Sequence, residues 1–262
     1  MINLFHEILF KSFFTVFLIF FVSCATQKKE EPMTPAMQEK EIYDQAQERI
    51  KSGNYSMAIE SLESLERRFP FGRYAEQAQA ELIYAYYENR LFDSAVIAAE
   101  RFISLHPRHP NTDYAYYMKG LAKFSKEKEL LSTVPILGEL TYKRDLTTAK
   151  ESFDELTEFL ERFPESAYVE DAKRRMIFLR DLIAKQELEV AEFYIQRKAY
   201  IAAVSRVDYI ISNLPESPVI KEALEIKVQA YDLMGKEDLK NQAAEVLKRF
   251  IEKSKESQST NS

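Results

Sequence analysis

The sequence predicts an all-α fold, a TPR-type solenoid of about five helical hairpins, and three observations support this prediction. Glycine is rare (five of 262 residues), the alternation typical of strands is hard to find, and one spaced motif recurs along the chain. In its first copy, Gly53, Tyr55 and Ala58 stand 17, 15 and 12 residues before Pro70. The same offsets before Pro107 and Pro215 give Arg90, Phe92 and Ala95, and then Lys198, Tyr200 and Ala203, while Pro164 has the weaker copy Thr147, Ala149 and Ser152.

This motif describes a helical hairpin. The aromatic residue fills the turn, the small residue lets two helices approach closely, and the proline stops the second helix. The pattern is that of the tetratricopeptide repeat (TPR), whose usual period is about 34 residues. Successive prolines are here 37, 57 and 51 residues apart, so the later hairpins must contain longer helices or inserts. A hairpin of this kind buries its apolar face only against its neighbours, which favours one continuous array.

Residues 1–23 are predicted to be a signal peptide that lies outside the fold. Lys11 is followed by an apolar run from Phe13 to Val22. Such a run is too short to cross a bilayer, which takes a helix of about 20 residues, but it fits the apolar part of a secretory signal.

The only cysteine, Cys24, follows this run directly. Its context resembles the lipobox of bacterial lipoproteins, except that Phe21 stands where leucine is usual. We therefore expect a lipid on Cys24, covalently attached, and no other cofactor; a simple secreted chain and an uncleaved anchor are the alternatives. Ala25 after the cysteine resembles the residue that directs lipoproteins to the outer membrane.

Residues 24–37 are predicted to be a flexible tether, because they are polar and contain Pro32 and Pro35. N-terminal repeats are predicted over residues 38–128. Their first helix has Tyr43, Ala46 and Ile50 on one apolar face. The helices that follow are predicted at Tyr55–Arg68, from Pro70 to Tyr87, at Phe92–Leu105 and from Asp113 to about Lys128.

The loop between Leu105 and Asp113 contains His106 and His109, which raises the question of a metal site. Two prolines in this loop prevent the helical geometry that would align the two rings, and no cysteine or third histidine is near. We therefore predict no metal site. Residues 129–144 form an insert that is too apolar for a linker, and it should either fold back over the solenoid or meet a partner.

C-terminal repeats are predicted over residues 145–253. The return helix Leu146–Phe163 is followed by a single helix of about 30 residues that reaches Arg197, because no proline or glycine interrupts it. A further return helix spans Tyr200–Asn213, and a last pair ends near Ile251. Residues 254–262 are polar and are predicted to be a disordered tail.

No sequence motif for catalysis is present. The chain has no glycine-rich phosphate loop, no Gly-x-Ser-x-Gly and no His-Glu-x-x-His. We therefore predict that the protein is not an enzyme. A net charge of −6 argues against nucleic acid as a partner. What remains for a tethered helical solenoid is binding, with a peptide or a partner domain on its concave face.

Several stretches are more specific than the repeat. They run from Phe71-Gly72-Arg73-Tyr74 through Leu82-Ile83-Tyr84-Ala85-Tyr86-Tyr87, and continue at His109-Pro110-Asn111, Asp113-Tyr114, Phe178-Leu179-Arg180-Asp181 and Val190-Ala191-Glu192-Phe193-Tyr194. In these stretches the chain resembles the BamD family, the TPR lipoproteins of the β-barrel assembly machinery of the outer membrane. The resemblance covers nearly the whole chain after Cys24, and it is weakest in the last repeat and at the lipobox.

The resemblance implies an adaptor that is lipid-anchored on the periplasmic face of the outer membrane. Its N-terminal repeats would receive the C-terminal β-signal of unfolded outer-membrane proteins, and its C-terminal repeats would dock a POTRA domain of the barrel subunit BamA, together with other assembly-machinery lipoproteins. The client-binding positions that it implies are Arg73, Tyr74, Gln77, Tyr84, Tyr87, His109, Asn111 and Asp113. For BamA it implies Arg197 and Arg206. The alternative is another periplasmic TPR scaffold lipoprotein, such as a cell-envelope coordinator or a pilus-assembly pilotin.

Overall fold

The computed structural model describes residues 33–133 and 145–260, and every regular element in these ranges is a helix. The signal peptide, Cys24 and most of the predicted tether lie outside the described residues, as does most of the predicted insert. The ten described helices are α1 (Pro35–Lys51), α2 (Tyr55–Arg68), α3 (Ala75–Glu88), α4 (Phe92–Leu105), α5 (Thr112–Thr133), α6 (Thr147–Arg162), α7 (Val169–Gln196), α8 (Tyr200–Asn213), α9 (Ile220–Leu233) and α10 (Glu237–Thr260). They pair as five hairpins, so the predicted all-α solenoid is confirmed.

From α2 onward, each helix packs against the next one along the chain. The first helices of neighbouring hairpins also touch, α3 with α5, α5 with α7 and α7 with α9. This stacking of hairpin on hairpin buries one long core from Ala80 to Ile226, with Phe102 and Phe159 among its largest side chains. A smaller core, around Leu62 and Leu65, joins the first hairpin to α3.

The turns inside four hairpins share one backbone conformation. Gly53, Arg90, Lys198 and Gly235 all have φ between 58° and 73°, in the left-handed region. At each turn the residue after the helix bonds back in the same way; for example, Lys198 N–H donates to Ile195 O (3.0 Å) and Ala199 N–H to Tyr194 O (2.9 Å). The first three are the positions 17 residues before a proline, so the proline spacing predicted these turns correctly.

Lys198→Gly should therefore stabilise the protein. The left-handed conformation costs a residue with a Cβ about 1–2 kcal/mol, and it does not cost glycine this free energy. The stabilisation from removing this strain is partly offset, because glycine has more conformational freedom in the unfolded chain. We expect a net gain of about 0.5–1 kcal/mol in the free energy of unfolding, measured by urea denaturation. Lys198→Ala is the matched control, since it removes the side chain but keeps the Cβ. If alanine stabilises as much as glycine, backbone strain is not the cause.

The turns between hairpins also repeat. Gly72, His109, Ser166 and Ser217 stand two residues after the four prolines, and each N–H donates to the carbonyl three residues earlier (3.0–3.1 Å). The alanines eight residues after the same prolines, Ala78, Ala115, Ala172 and Ala223, are fully buried. The small residues of the motif, Ala58, Ala95, Ser152 and Ala203, are fully buried as well. The repeat register predicted from the sequence is therefore the register of the fold.

An acidic residue near the start of a first helix contacts the following turn at three of the four junctions. Glu39 of α1 accepts the N–H of Tyr74 (2.8 Å). Glu76 of α3 lies 3.8 Å from His109 Nε2, and Asp113 of α5 accepts Ser166 Oγ–H (2.6 Å). At the fourth junction the equivalent of Asp113 is Glu170, which is exposed and paired with Lys173 (3.0 Å), while Ser217 Oγ is buried with no hydrogen-bond partner among the described residues.

Four helix ends differ from the sequence-based bounds. α3 begins at Ala75 and not at Pro70, because the residues after Pro70 form the turn between hairpins, in which Gly72 N–H donates to Phe69 O (3.0 Å). α1 begins at Pro35, within the predicted tether, because proline is favoured in the first turn of a helix and Thr34 Oγ1 accepts the N–H of Met37 (3.3 Å). α5 continues to Thr133, so residues 129–133 are helical and not part of a separate insert. α10 reaches Thr260, although we expected disorder from residue 254, because neither glycine nor proline stops the helix.

One glycine sets the spacing between α5 and α6. A Cβ on Gly120 would lie 2.6 Å from Leu156 Cδ2 and 2.8 Å from Leu156 Cγ, and Leu156 is fully buried. Ser152 Oγ of α6 donates to Gly120 O (2.9 Å), which is possible only at this close approach. The absence of a side chain at Gly120 is therefore a packing requirement.

Candidate partner-binding surfaces

One face of α3 contains three of the predicted client-binding residues. Tyr74, at the N-cap, is followed at helical spacing by Gln77, Glu81 and Tyr84. The Tyr74 ring stacks on Tyr43 of α1, with centroids 4.5 Å apart and planes 15° apart. Glu81 accepts hydrogen bonds from Tyr43 Oη (2.9 Å) and Gln77 Nε2 (2.8 Å). Aromatic and amide groups from α1 and α3 thus form one continuous surface.

Arg73 lies at the edge of this surface. Its side chain is exposed, and its guanidinium lies 5.8 Å from the centroid of the Tyr74 ring. The backbone below it is fixed, since Tyr74 N–H donates to the buried carboxylate of Glu39. A Cβ on Gly72 would lie 2.2 Å from Glu39 Oε1, so any side chain at this position would force the Glu39 carboxylate to move. Arg73 is therefore a cation held beside an aromatic pair, a geometry suited to a carboxylate next to a ring.

Tyr84 and Tyr87 lie farther along α3 and point to different neighbours. Tyr84 meets Tyr55 edge-on (5.9 Å) and is 37% exposed. A hydrogen bond with Tyr55, and then partial burial, raise the pKa of Tyr84 to about 12, so it stays neutral and can donate at physiological pH. Tyr87 Oη lies 3.0 Å from Ser125 Oγ of α5, and its ring lies beside Phe92 (5.7 Å). It lines a separate cleft of about 510 Å³ with residues such as Lys128.

The three remaining client-binding predictions lie at junctions between hairpins. His109 Nδ1 accepts the N–H of Asn111 (3.0 Å), and Asp113 binds Ser166. None of the contacts described for these residues reaches Arg73, Tyr74 or Gln77. The structure therefore places Arg73, Tyr74, Gln77 and Tyr84 along one face, and puts Tyr87, His109, Asn111 and Asp113 in other surroundings.

An aromatic cluster that the sequence analysis did not select lies between α5 and α7. Tyr117 stacks on Tyr168 (4.6 Å, 10°), and Tyr114 packs against the same ring (5.8 Å). Tyr117 Oη donates to Asp171 Oδ2 (2.6 Å), which Arg175 also contacts. The repeat contains a signal for this cluster, because Tyr168 stands four residues after Pro164, as Tyr74 does after Pro70.

Asp171→Asn should cost stability in a pH-dependent way. Burial alone would raise the pKa of Asp171, but hydrogen bonds from Arg175 and Tyr117 outweigh it and hold the pKa below its ordinary value. A carboxyl with a depressed folded pKa contributes stability above its unfolded pKa of about 3.9, and this contribution is lost as the pH falls through the folded pKa. We expect a loss of about 1–2 kcal/mol at pH 7 that shrinks below about pH 4.

Urea denaturation of Asp171→Asn and of Asp154→Asn at several pH values checks this expectation. Asp154 is exposed on α6 and serves as the control. A loss for Asp171→Asn that is the same at pH 3 and pH 7 would contradict the electrostatic account.

The two arginines predicted for the BamA contact differ in their surroundings. Arg206 of α8 donates to Glu187 Oε2 (3.1 Å), and Lys150 of α6 donates to Glu187 Oε1 (2.6 Å). Glu187 is buried on α7, so these three side chains tie three helices together. Arg197 is exposed at the end of α7, with its guanidinium 5.2 Å from the centroid of the Phe193 ring.

In residues 33–133 and 145–260, no group of three or more His, Cys, Asp and Glu side chains is arranged to hold a metal ion. In the same ranges, no helix is both long and apolar enough to span a bilayer.

Comparison with known proteins identifies the family. A family model described as outer membrane lipoprotein, YfiO, matches residues 35–247. The outer membrane protein assembly factor BamD of Neisseria meningitidis serogroup A is 37% identical over 235 residues, which cover 88% of this chain and 87% of that protein. BamD of Vibrio cholerae is 35% identical (82% and 87% covered), and BamD of Pasteurella multocida is 30% identical (90% and 90%).

Among solved structures, a TPR-like repeat protein of Podosopora anserina, a putative kinesin light chain, covers 86% of this chain and 100% of its own at 14% identity. Its TM-score is 0.37, so this likeness supports no argument. The match to the family model and the identity to several BamD proteins are each sufficient on their own to assign the family. Together they confirm the resemblance that the sequence motifs indicated. The chain therefore belongs to the YfiO/BamD family of outer membrane lipoproteins.

Proposed function

We propose that this chain is a lipid-anchored adaptor for outer-membrane β-barrel assembly that binds two kinds of partner without catalysing a reaction. Its N-terminal hairpins receive the C-terminal β-signal of unfolded outer-membrane proteins, and its C-terminal hairpins dock a POTRA domain of the barrel subunit. The observation that supports the first role best is Arg73 beside the stacked Tyr43–Tyr74 pair. The relatives, which are named outer membrane protein assembly factors, support the general role.

The chemistry of the α3 face suits a strand that ends in an aromatic residue and a carboxylate. An arginine binds a carboxylate through paired, charge-assisted hydrogen bonds. Tyrosine rings accept an aromatic side chain in stacked or edge-on geometry, and Gln77 and Tyr84 supply polar groups for the backbone of the strand. Because Tyr74 and Tyr84 also pack within the fold, Arg73 is the residue whose replacement tests binding most directly.

The experiment is titration calorimetry of the mature chain with a peptide of the last residues of an outer-membrane protein. Arg73→Glu should weaken binding at least tenfold, because it replaces an attraction to the terminal carboxylate with a repulsion. Arg249→Glu is the control, since Arg249 is exposed on α10, far along the chain. Unchanged peptide affinity in Arg73→Glu, with the native helical content, would contradict the proposed client site.

For the second partner, Arg197 is the better interface candidate, since Arg206 is already paired within the chain. A POTRA fragment should bind the wild-type chain, and Arg197→Glu should weaken this binding while leaving peptide binding unchanged. Loss of both partners in one variant would contradict separate sites. Pull-down of the lipidated chain from solubilised envelope should recover a POTRA-containing barrel, with other assembly-machinery lipoproteins.

The proposed location is the periplasmic face of the outer membrane, through a lipid on Cys24. Cys24→Ser should abolish incorporation of labelled palmitate and release the chain from the membrane fraction. Palmitate label that persists in this variant would contradict the anchor.

A further inference from the structure

The turn between the first and second hairpins contains an apolar residue, Phe71, whose side chain does not pack within the fold. Phe71 is 99% exposed, the highest value among the large apolar side chains of the described residues. At the same position of the three congruent turns, one residue after the proline, stand Arg108, Glu165 and Glu216, which are all charged. The turn therefore forms equally well with a hydrophilic residue, and the phenylalanine at this position has no packing role.

The surroundings of Phe71 are basic. The segment from Arg67 to Tyr74 contains Arg67, Arg68 and Arg73 and no acidic residue. The corresponding segments of the third and fourth turns each contain glutamate, at Glu165 and Glu216. Arg67 pairs with Glu63 one turn earlier on α2 (3.2 Å), and the guanidinium of Arg68 lies 5.4 Å from the centroid of the Phe69 ring. Arginines on both sides of an exposed aromatic residue in the sequence complement an anionic lipid surface, where the cations meet headgroups and the ring enters the interface.

The tip is fixed in position. Gly72 N–H donates to Phe69 O (3.0 Å), and Ala75 N–H donates to Gly72 O (3.2 Å). Tyr74 N–H is held by Glu39, near the start of α1. Phe71 is therefore presented on an ordered turn and does not have to be ordered when it binds.

The hydrogen bond from Tyr74 N–H to Glu39 also links the tip to a residue that stands near the proposed anchor in the sequence. Glu39 stands 15 residues after Cys24, and 15 residues span at most about 50 Å even when fully extended. A lipid on Cys24 thus keeps Glu39, and the turn bound to it, within that distance of the membrane surface.

We infer that Phe71, with Arg67 and Arg68, forms a membrane-contact tip that binds an anionic lipid surface and orients the solenoid beneath its anchor. This inference rests on the lipid anchor of the proposed function. Each arginine near an anionic surface strengthens binding roughly fivefold. The tip alone binds weakly, and the anchor supplies the second attachment that stable membrane association needs.

The absence of tryptophan from the chain allows a direct test. Phe71→Trp places a single indole at the tip, and Ile97→Trp, at an exposed position on α4 (65%), is the matched control. Each lipidated chain is reconstituted into vesicles of phosphatidylcholine with phosphatidylglycerol, with and without brominated acyl chains. We expect the emission of Phe71→Trp to shift to shorter wavelength and to lose at least half its intensity with brominated lipid, while Ile97→Trp keeps the emission of an indole in water.

Three results would overturn the inference. The first is no quenching at position 71 in a chain that is anchored. The second is equal quenching at positions 71 and 97, which shows proximity without orientation. The third is a blue shift at position 71 that requires the POTRA fragment and not the lipid, which makes the tip a protein contact. Quenching that is equal in vesicles of phosphatidylcholine alone would remove the role given to the arginines.

The outcomes also separate this inference from the proposed function. Peptide and POTRA binding are measured on Phe71→Trp in solution. A variant that binds both partners but is not quenched overturns the membrane contact alone. A variant that is quenched by lipid but binds neither partner overturns the adaptor role alone.

Discussion

Arg206→Glu should lower the free energy of unfolding by about 3 kcal/mol, because it places a second carboxylate beside the buried carboxylate of Glu187. The wild-type arginine supplies one of the two cations that Glu187 contacts, and Lys150 supplies the other (2.6 Å). Removing one partner of a buried pair costs about 3–5 kcal/mol. We take the lower end of this range, because the Arg206 side chain is 43% exposed and water screens part of the interaction.

Urea denaturation of Arg206→Glu, Arg206→Lys and Arg197→Glu measures this effect. Arg206→Lys keeps the charge and should lose about 1 kcal/mol or less. Arg197→Glu should be close to neutral, since Arg197 is exposed and contacts the Phe193 ring. If Arg206→Glu unfolds at the same urea concentration as the wild type, the three-helix ion cluster contributes little.

The stability of Arg206→Glu determines how a loss of POTRA binding in this variant is interpreted. A charge reversal at Arg206 that releases the POTRA fragment can do so by loosening α7 and α8, without any direct contact. Arg197→Glu avoids this ambiguity because its side chain makes no ion pair among the described contacts. A loss of POTRA binding is therefore informative at Arg197, and at Arg206 only in a variant that retains wild-type stability.

Gly120→Ala should destabilise the protein by about 1–3 kcal/mol, although alanine is the better helix former by about 1 kcal/mol. The added methyl group would lie within 3 Å of two carbon atoms of Leu156, which is fully buried. Either α6 moves away, which stretches the bond from Ser152 Oγ to Gly120 O, or Leu156 leaves its rotamer.

A double-mutant cycle isolates this contact. Leu156→Ala alone should cost about 2–5 kcal/mol, because it leaves a cavity. It also removes both carbon atoms that the new methyl group would meet. In the Leu156→Ala background, Gly120→Ala should therefore become stabilising by about 1 kcal/mol, through helix propensity. The same sign in both backgrounds would show that the packing of Gly120 against Leu156 is not what requires glycine.

The turns were predictable from the sequence because their causes are local. A proline that follows a helical stretch ends the helix, and a small residue 12 positions earlier marks a close contact, so the offsets predicted the positions of Arg90 and Lys198 in their turns. Helix ends without a glycine or proline were not predictable in this way. α10 ends at Thr260 in a stretch that contains no glycine or proline, so the local sequence did not predict where it ends. α5 is different, because Pro135 stands two residues after Thr133 and accounts for the end of that helix.

Part of the candidate site was predictable for the same reason. Tyr74, Gln77 and Tyr84 follow helical spacing, so the sequence alone puts them on one face. The ion pairs were not predictable, since their partners are distant along the chain. Glu187 meets Lys150, 37 residues earlier, and nothing in the local pattern distinguishes either residue from the other charged residues on these helices.

The uneven series of acidic contacts between hairpins has a mechanical consequence. Glu39 and Asp113 bind the turns that follow them, so the joints that they span resist bending. At the last joint Glu170 is exposed, and the ion pair that reaches the turn there, Arg180–Glu216, involves an exposed carboxylate and adds little. The hydrogen bond from an acidic residue to the following turn is thus present where a client is proposed to bind and, among the described residues, absent at the last hairpin. We expect the last hairpin to be the more compliant of the two. An adjustment of that hairpin to the surface of a docked domain would then leave the client-binding face of α3 undisturbed.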